Sequence, residues 1–177
     1  MVFERLVSVR LGRFMDGGGL LPTSQFAYRR GLGTCDALFC VAHTLQNALE
    51  MGQEASVVQI DFSAPFDRVN HQGILLKLCS VGVDGSVLSV LTQFLSNRSQ
   101  YAVVDGCRSK LVNVLSGVPQ GSVLGPQLFL LYTAELFSIV DNKLSALYRS
   151  VTILVTQYSM DWGWWGLIAG PMLLILA

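Results

Sequence analysis

Apolar side chains fall at helical spacing along Ala37, Leu38, Val41, Ala42, Leu45, Ala48 and Leu49. That periodicity predicts a helix beginning at Cys35, capped by Thr34, with Asp36 in its first turn and Gly52 ending it. The run Ala55 to Ile60 is rich in β-branched residues, reads as a short strand and leads straight into Asp61. A second helix is expected from about His71 to Cys79, with Asn70 as cap and Ile74, Leu75 and Leu78 facing inward. A third follows Ser86, using Val87, Leu88, Val90, Leu91, Phe94 and Leu95. The period then switches to two. Gln100 to Val104 and Ser109 to Leu115 flank Asp105-Gly106, a dipeptide that suits the left-handed centre of a hairpin turn. The glycine- and proline-rich stretch Ser116 to Pro126 is a loop, and Pro126 fits the first turn of a helix running to about Asn142. Leu128, Phe129, Leu131, Tyr132, Leu136, Ile139 and Val140 mark its apolar face. The order of elements is α+β, with strands delivering loops to one edge.

Composition narrows this picture. The chain is 51% apolar and 14% charged, which excludes intrinsic disorder, and 177 residues are enough for one core. A mean hydropathy of +0.49 implies apolar surface meant for a partner, a membrane or a missing part of the same fold. Twelve basic and twelve acidic residues cancel. That balance counts against strong independent binding of nucleic acid, because phosphate neutralisation supplies most of such affinity. Residues 1–30 are locally basic, with Arg5, Arg10, Arg13, Arg29 and Arg30 against Glu4 and Asp16. Cys35, Cys40, Cys79 and Cys107 form no CxxC pair and are expected as buried free thiols in a reducing compartment, without disulfide partners. Cys35, Cys40 and His43 lie on an apolar-patterned helix with no second ligand pair, so a metal site there is not expected. The opening MVFERLVSVRLGRF carries charges throughout and does not read as a signal peptide. Trp162 to Ala177 is uncharged but is broken by glycines and Pro171, and is shorter than the roughly 20 residues of a membrane span.

An aspartate at the end of a buried strand is held rigidly at a sheet edge, yet Asp61 alone is explained by pairing or capping as well as by catalysis. The later loop changes its weight. VVQIDFSAPFDRVNHQGILLKL, FLSNRSQ and SGVPQGSVLGPQLFLLYTAELF resemble consecutive motifs of a reverse transcriptase, of the non-LTR (LINE-type) retrotransposon kind. LPTSQFAYRRGLGTCDAL is similar to that family's fingers motif, so the resemblance covers about Leu21 to Lys143 in family order.

The resemblance implies a partial right-hand polymerase fold, with fingers and palm but no thumb. It implies nucleotidyl transfer from a deoxynucleoside triphosphate to a DNA primer on an RNA template, with Mg2+ as cofactor. It assigns the metal-binding, catalytic carboxylate to Asp61 and a metal-side carbonyl to Phe62. Phe66 matches the ring that excludes a 2′-hydroxyl, Gln120 lines the nucleotide pocket, and Arg29 or Arg30 contacts phosphate or template. For Asp67 a cap or a pair with Arg68 is the expected role, and His71 is expected as a helix-start residue.

The family next requires a tyrosine-x-aspartate-aspartate hairpin, where this chain reads DNKLSALYRSVTILVTQ and offers no adjacent carboxylates. Asp161 is the one nearby acid that a strand–turn–strand from Val151 to Ile168 would place at a tip. Pro65 replaces the family's usual alanine and has no N–H to offer a triphosphate. The expectation is therefore a fingers/palm fragment over residues 1–144, an unrelated apolar tail over 145–177, and no polymerisation by this chain alone. Two other readings stand beside it: a non-catalytic nucleic-acid or protein binding module, and a protein touching membrane through 162–177. An intracellular location, cytoplasm or nucleus, goes with the first.

Overall fold

Asp36 reaches back from the first turn of its helix to accept the Gly33 N–H at 2.7 Å. The helix, α2, therefore spans Thr34–Glu50, with Gly33 rather than Thr34 as its cap. A carboxylate at the third helical position satisfies an orphan donor and faces the positive end of the helix dipole, which Thr34 inside the first turn does not. Gly52, at φ +67°, ends it as expected. The computed structural model describes residues 2–53, 56–136, 139, 151–157 and 172–176.

In chain order, α1 (Val2–Gly17) precedes α2, and β1 (Ser56–Asp61) follows. A short 3-10 turn over Phe66–Arg68 leads to α3 (His71–Ser80) and α4 (Gly85–Leu95). Four two-residue strands come next, β2 (Ser99–Gln100), β3 (Val103–Val104), β4 (Cys107–Arg108) and β5 (Val112–Asn113). Then follow α5 (Gly125–Thr133), β6 (Val151–Gln157) and β7 (Met172–Leu176). This is the α+β class.

The chain divides into two compact units. The first holds Met1–Leu20 and Pro65–Tyr132, the second Leu21–Ala64 and Thr133–Ala177. In the first, Leu11 and Met15 of α1, Ile74 and Leu78 of α3, Leu91 and Leu95 of α4, and Leu128 to Leu131 of α5 are buried. Asn70 caps α3 by accepting the Gly73 N–H at 2.8 Å, as the sequence predicts. Asp105 and Gly106 both have positive φ, +50° and +79°, and turn β3 back onto β4. In the second unit β1 pairs parallel with β6, and β6 pairs antiparallel with β7. α2 packs on β6 and β7. Ala37 is fully buried there, against Phe26, Cys40 and Val41.

Several expectations are corrected. α5 breaks after Thr133 in a turn at Ala134 and Glu135, helical backbone returns at Leu136 and Ile139, and residues 140–142 of the expected helix lie outside the described residues. Leu38 and Leu49 lie on the exposed side of α2. The thiols of Cys35, Cys79 and Cys107 are free but exposed, because they sit in terminal helix turns and on a solvent-facing hairpin. Strand β6 finds its antiparallel partner in Met172–Leu176 rather than in 162–168. Residues 162–171 and Asp161 lie outside the described residues. Among the described residues no helix is long and apolar enough to cross a membrane, and of the run 162–177 the described part, Met172–Leu176, forms β7.

Candidate active-site segments

Four hydrogen bonds stitch the loop after β5 onto the segment that opens α3. Gly117 donates its N–H to the Val69 carbonyl and Val118 to the Phe66 carbonyl, each at 2.8 Å. The Ser116 hydroxyl donates to the Asp67 carbonyl at 2.9 Å. His71 Nε2 lies 2.7 Å from the Gly117 carbonyl, an acceptor, so this nitrogen carries the proton and donates. The two backbones meet so closely that a Cβ at Gly117 would stand 2.8 Å from Asp67 Cα and 2.9 Å from its carbonyl oxygen. Gly117 also has φ +87°, where side chains other than hydrogen are strained.

This stitching brings together residues far apart in sequence. Gln120 is exposed, and its Nε2 lies 3.5 Å from Asp67 Oδ1. The Phe66 ring, half-buried, leans on the buried Phe129 ring with centroids 5.0 Å apart and planes tilted by 48°. Tilted pairs of this kind add about 0.5–1.5 kcal/mol beyond the area they bury. Asp67 thus takes the Gln120 amide instead of acting as a cap.

Glu4 of α1 secures the far end of the loop. Its Oε1 accepts the N–H groups of Val123 at 2.7 Å and Leu124 at 3.2 Å, where α5 begins. The Ser122 hydroxyl accepts the Gly125 N–H at 3.0 Å and donates to the Pro119 carbonyl at 2.6 Å. Those bonds occupy orphan donors of the helix start, and the Glu4 charge suits its dipole. Gln127 donates to the Ser8 carbonyl at 3.1 Å and ties α5 to α1 once more.

Asp61 is the last residue of β1, in the second unit, and Phe62 follows it directly, half-buried. In the parallel register Asp61 stands beside Thr156 and Ile60 beside Val155. Neither β6 nor β7 contains a carboxylate. Among the described residues no three His, Cys, Asp or Glu side chains gather where a cation would sit. Among the described residues one carboxylate stands at this edge, which does not fit a pair of hard cations, each of which takes about six oxygen ligands.

Arg29 and Arg30 share the turn before α2 but differ in commitment. Arg29 Nη1 donates to the Pro22 carbonyl at 3.2 Å and the Gln25 carbonyl at 3.5 Å, so its guanidinium holds its own loop. Arg30 is exposed. Beside them burial pushes the Tyr28 hydroxyl above its ordinary value of 10.0, which keeps it protonated and uncharged.

Of the residues marked by sequence, Phe66 and Gln120 come together in the first unit, with Asp67. Asp61, Phe62, Arg29 and Arg30 belong to the second. The roles of Gly117, Glu4 and His71 escaped sequence reading, because each depends on a contact more than forty positions away. The first glycine of SGVPQG, Gly117, was the one usable signal.

The family described as "Reverse transcriptase (RNA-dependent DNA polymerase)" matches residues 2–159. The chain is 34% identical over 160 residues to the "RNA-directed DNA polymerase from mobile element jockey" of Drosophila funebris, covering 90% of this chain and 17% of that protein. It is 34% identical over 135 residues to the "Probable RNA-directed DNA polymerase from transposon X-element" of Drosophila melanogaster, covering 76% and 15%. A more distant likeness, 25% over 111 residues, is to the "Retrovirus-related Pol polyprotein from type-1 retrotransposable element R2" of Popillia japonica, covering 63% and 18%. The chain thus spans about a sixth of the length of the first two relatives.

Proposed function

The chain belongs to the reverse transcriptase family, in its LINE-type retrotransposon branch, and from that premise we propose that it is a polymerase domain with an incomplete metal site. In this reading residues 1–144 are the fingers and palm part, and 145–177 are foreign to it. Asp61 is the first catalytic carboxylate, with the Phe62 carbonyl on the metal side. The Phe66 ring, backed by Phe129, screens the sugar of an incoming deoxynucleotide, and Gln120 sits under its base. Arg30 is the better placed of the two arginines for phosphate or template, since Arg29 is spent on local carbonyls. RNA template, DNA primer and nucleoside triphosphate are the substrates, and their presence sets an intracellular site of action.

When bound, paired magnesium ions would stabilise the attacking and leaving oxygens of phosphoryl transfer. In this reading the chain's residues bind, orient and screen a nucleotide, but among the described residues they supply too few oxygens for both ions. The observation that carries this reading is the strand beside Asp61. From Val151 to Gln157 it presents valine, threonine, isoleucine, leucine and glutamine, and no acid.

Manganese, a spectroscopic stand-in for magnesium, tests this directly. Titrated with Mn2+ at saturating deoxynucleotide and followed by electron paramagnetic resonance, the chain is expected to retain fewer than two ions. Two ions bound, with the second lost in Asp61→Ala, would overturn the reading.

A further inference from the structure

The hairpin from Ser99 to Asn113 changes register part-way. Its outer rungs pair Ser99 with Asn113 and Gln100 with Val112, and Val114 N–H donates to the Arg98 carbonyl at 2.8 Å. Its inner rungs pair Val103 with Arg108 and Val104 with Cys107, and Ser109 N–H donates to the Ala102 carbonyl at 2.9 Å. Between the two sets Tyr101 faces both Lys110 and Leu111, so the returning strand carries one extra residue. That is a β-bulge, a device that re-aims side chains. The Ser109 hydroxyl braces it by accepting the Ala102 N–H at 2.9 Å and donating to the Lys110 carbonyl at 3.1 Å.

The bulge gathers a specific chemistry. The Arg108 guanidinium lies 5.1 Å from the centroid of the Tyr101 ring, close enough for cation–π attraction that holds the ring in place. Tyr101 nevertheless remains 47% exposed. Every residue from Ser99 to Asn113 is exposed, including Val103, Val104, Leu111 and Val112. Arg108 stands against the ring, Lys110 lies on the bulged strand opposite it and Arg98 at the base of the hairpin, and Asp105 at the far tip is the one acid in this stretch. In a chain of net charge zero, three cations against one acid on a hairpin that presents an exposed aromatic favour a ligand with both anionic and π-bonded parts.

We propose that this bulge binds single-stranded nucleic acid, a base stacking on Tyr101 while Arg98, Arg108 and Lys110 neutralise the flanking phosphates. The inference rests on the polymerase reading for its partner class, but it uses no residue of the metal site. A strand held here is gripped without sequence preference, because every base has a π-face.

The test is fluorescence anisotropy of the full chain with labelled oligo-uridine RNA and oligo-thymidine DNA of about twenty nucleotides, a length that spans one to several single-strand sites. Tyr101→Ala is expected to weaken binding about tenfold, a typical loss for one stacked base, while Tyr101→Phe keeps it. R108Q combined with K110Q should flatten the log–log salt dependence by about 1.4, two single-strand phosphate contacts' worth. Equal affinity for the two strands assigns recognition to base and phosphate alone, and a preference for RNA adds the template's 2′-hydroxyl. Photo-crosslinking of 4-thiouridine RNA should label the peptide containing Tyr101. Binding unchanged in Tyr101→Ala, an unaltered salt slope, or no binding by the unmodified chain would overturn the proposal. None of these results bears on how many manganese ions the chain retains, so this proposal and the metal-site reading fail separately.

Discussion

Gly117→Ala is expected to lower unfolding free energy by about 3 kcal/mol, combining the left-handed penalty with overpacking against fixed backbone. The first contribution arises at φ +87°, where a Cβ crowds its own carbonyl. The second arises because the new methyl would lie 2.8 Å from Asp67 Cα and 3.0 Å from its carbonyl carbon. Backbone atoms cannot swing aside as a flexible side chain does. Relief requires the loop to lift off, and that breaks the Gly117 to Val69, Val118 to Phe66 and His71 to Gly117 bonds together. Urea unfolding followed by circular dichroism measures the global loss. Hydrogen exchange at the Gly117 and Val118 amides measures the local one, and unchanged protection there would contradict the stitched geometry.

Phe129→Ala should cost slightly more, about 3–5 kcal/mol, the usual range for deleting a buried aromatic. Phe129 is 3% exposed and lies among Leu128, Leu130 and Leu131 of α5, so the cavity has little chance of being refilled by water. Its loss also removes the surface on which Phe66 rests. Phe66→Ala alone should cost less, since that ring is only half-buried. Because the two rings touch, the double variant should lose less stability than the sum of the singles. A denaturant series on the four proteins checks this, and strict additivity would mean that the rings do not support each other.

How much of this was legible beforehand depends on the range of each interaction. The Asn70 cap and the Asp105-Gly106 turn follow from chemistry within three residues, and both stand as the sequence implies. The start of α2 lies one residue before the sequence expectation, because Asp36 accepts the Gly33 N–H and so makes Gly33 the cap, leaving Thr34 inside the first turn. The resemblance marks Phe66 and Gln120 as candidates but not the bonds joining their segments, which depend on tertiary approach across the chain. The bulge at Tyr101 was illegible for a different reason. Alternating apolar residues fit either register, and only the offset between the Gln100–Val112 and Val103–Arg108 rungs shows the extra residue. The sequence leaves β7 unassigned, because the five apolar residues Met172–Leu176 have no period that separates a buried strand from a lipid contact.

If β1 and β6 bring only Asp61 to the metal site, polymerisation fails for want of carboxylates, as proposed above. This is tested most directly by primer extension on an RNA template with magnesium and deoxynucleoside triphosphates, comparing the chain with Asp61→Ala. The expected result is no more incorporation by the unmodified chain than by Asp61→Ala. Extension by the unmodified chain that disappears in Asp61→Ala would contradict the account, since it would require another group to complete the metal site beside Asp61.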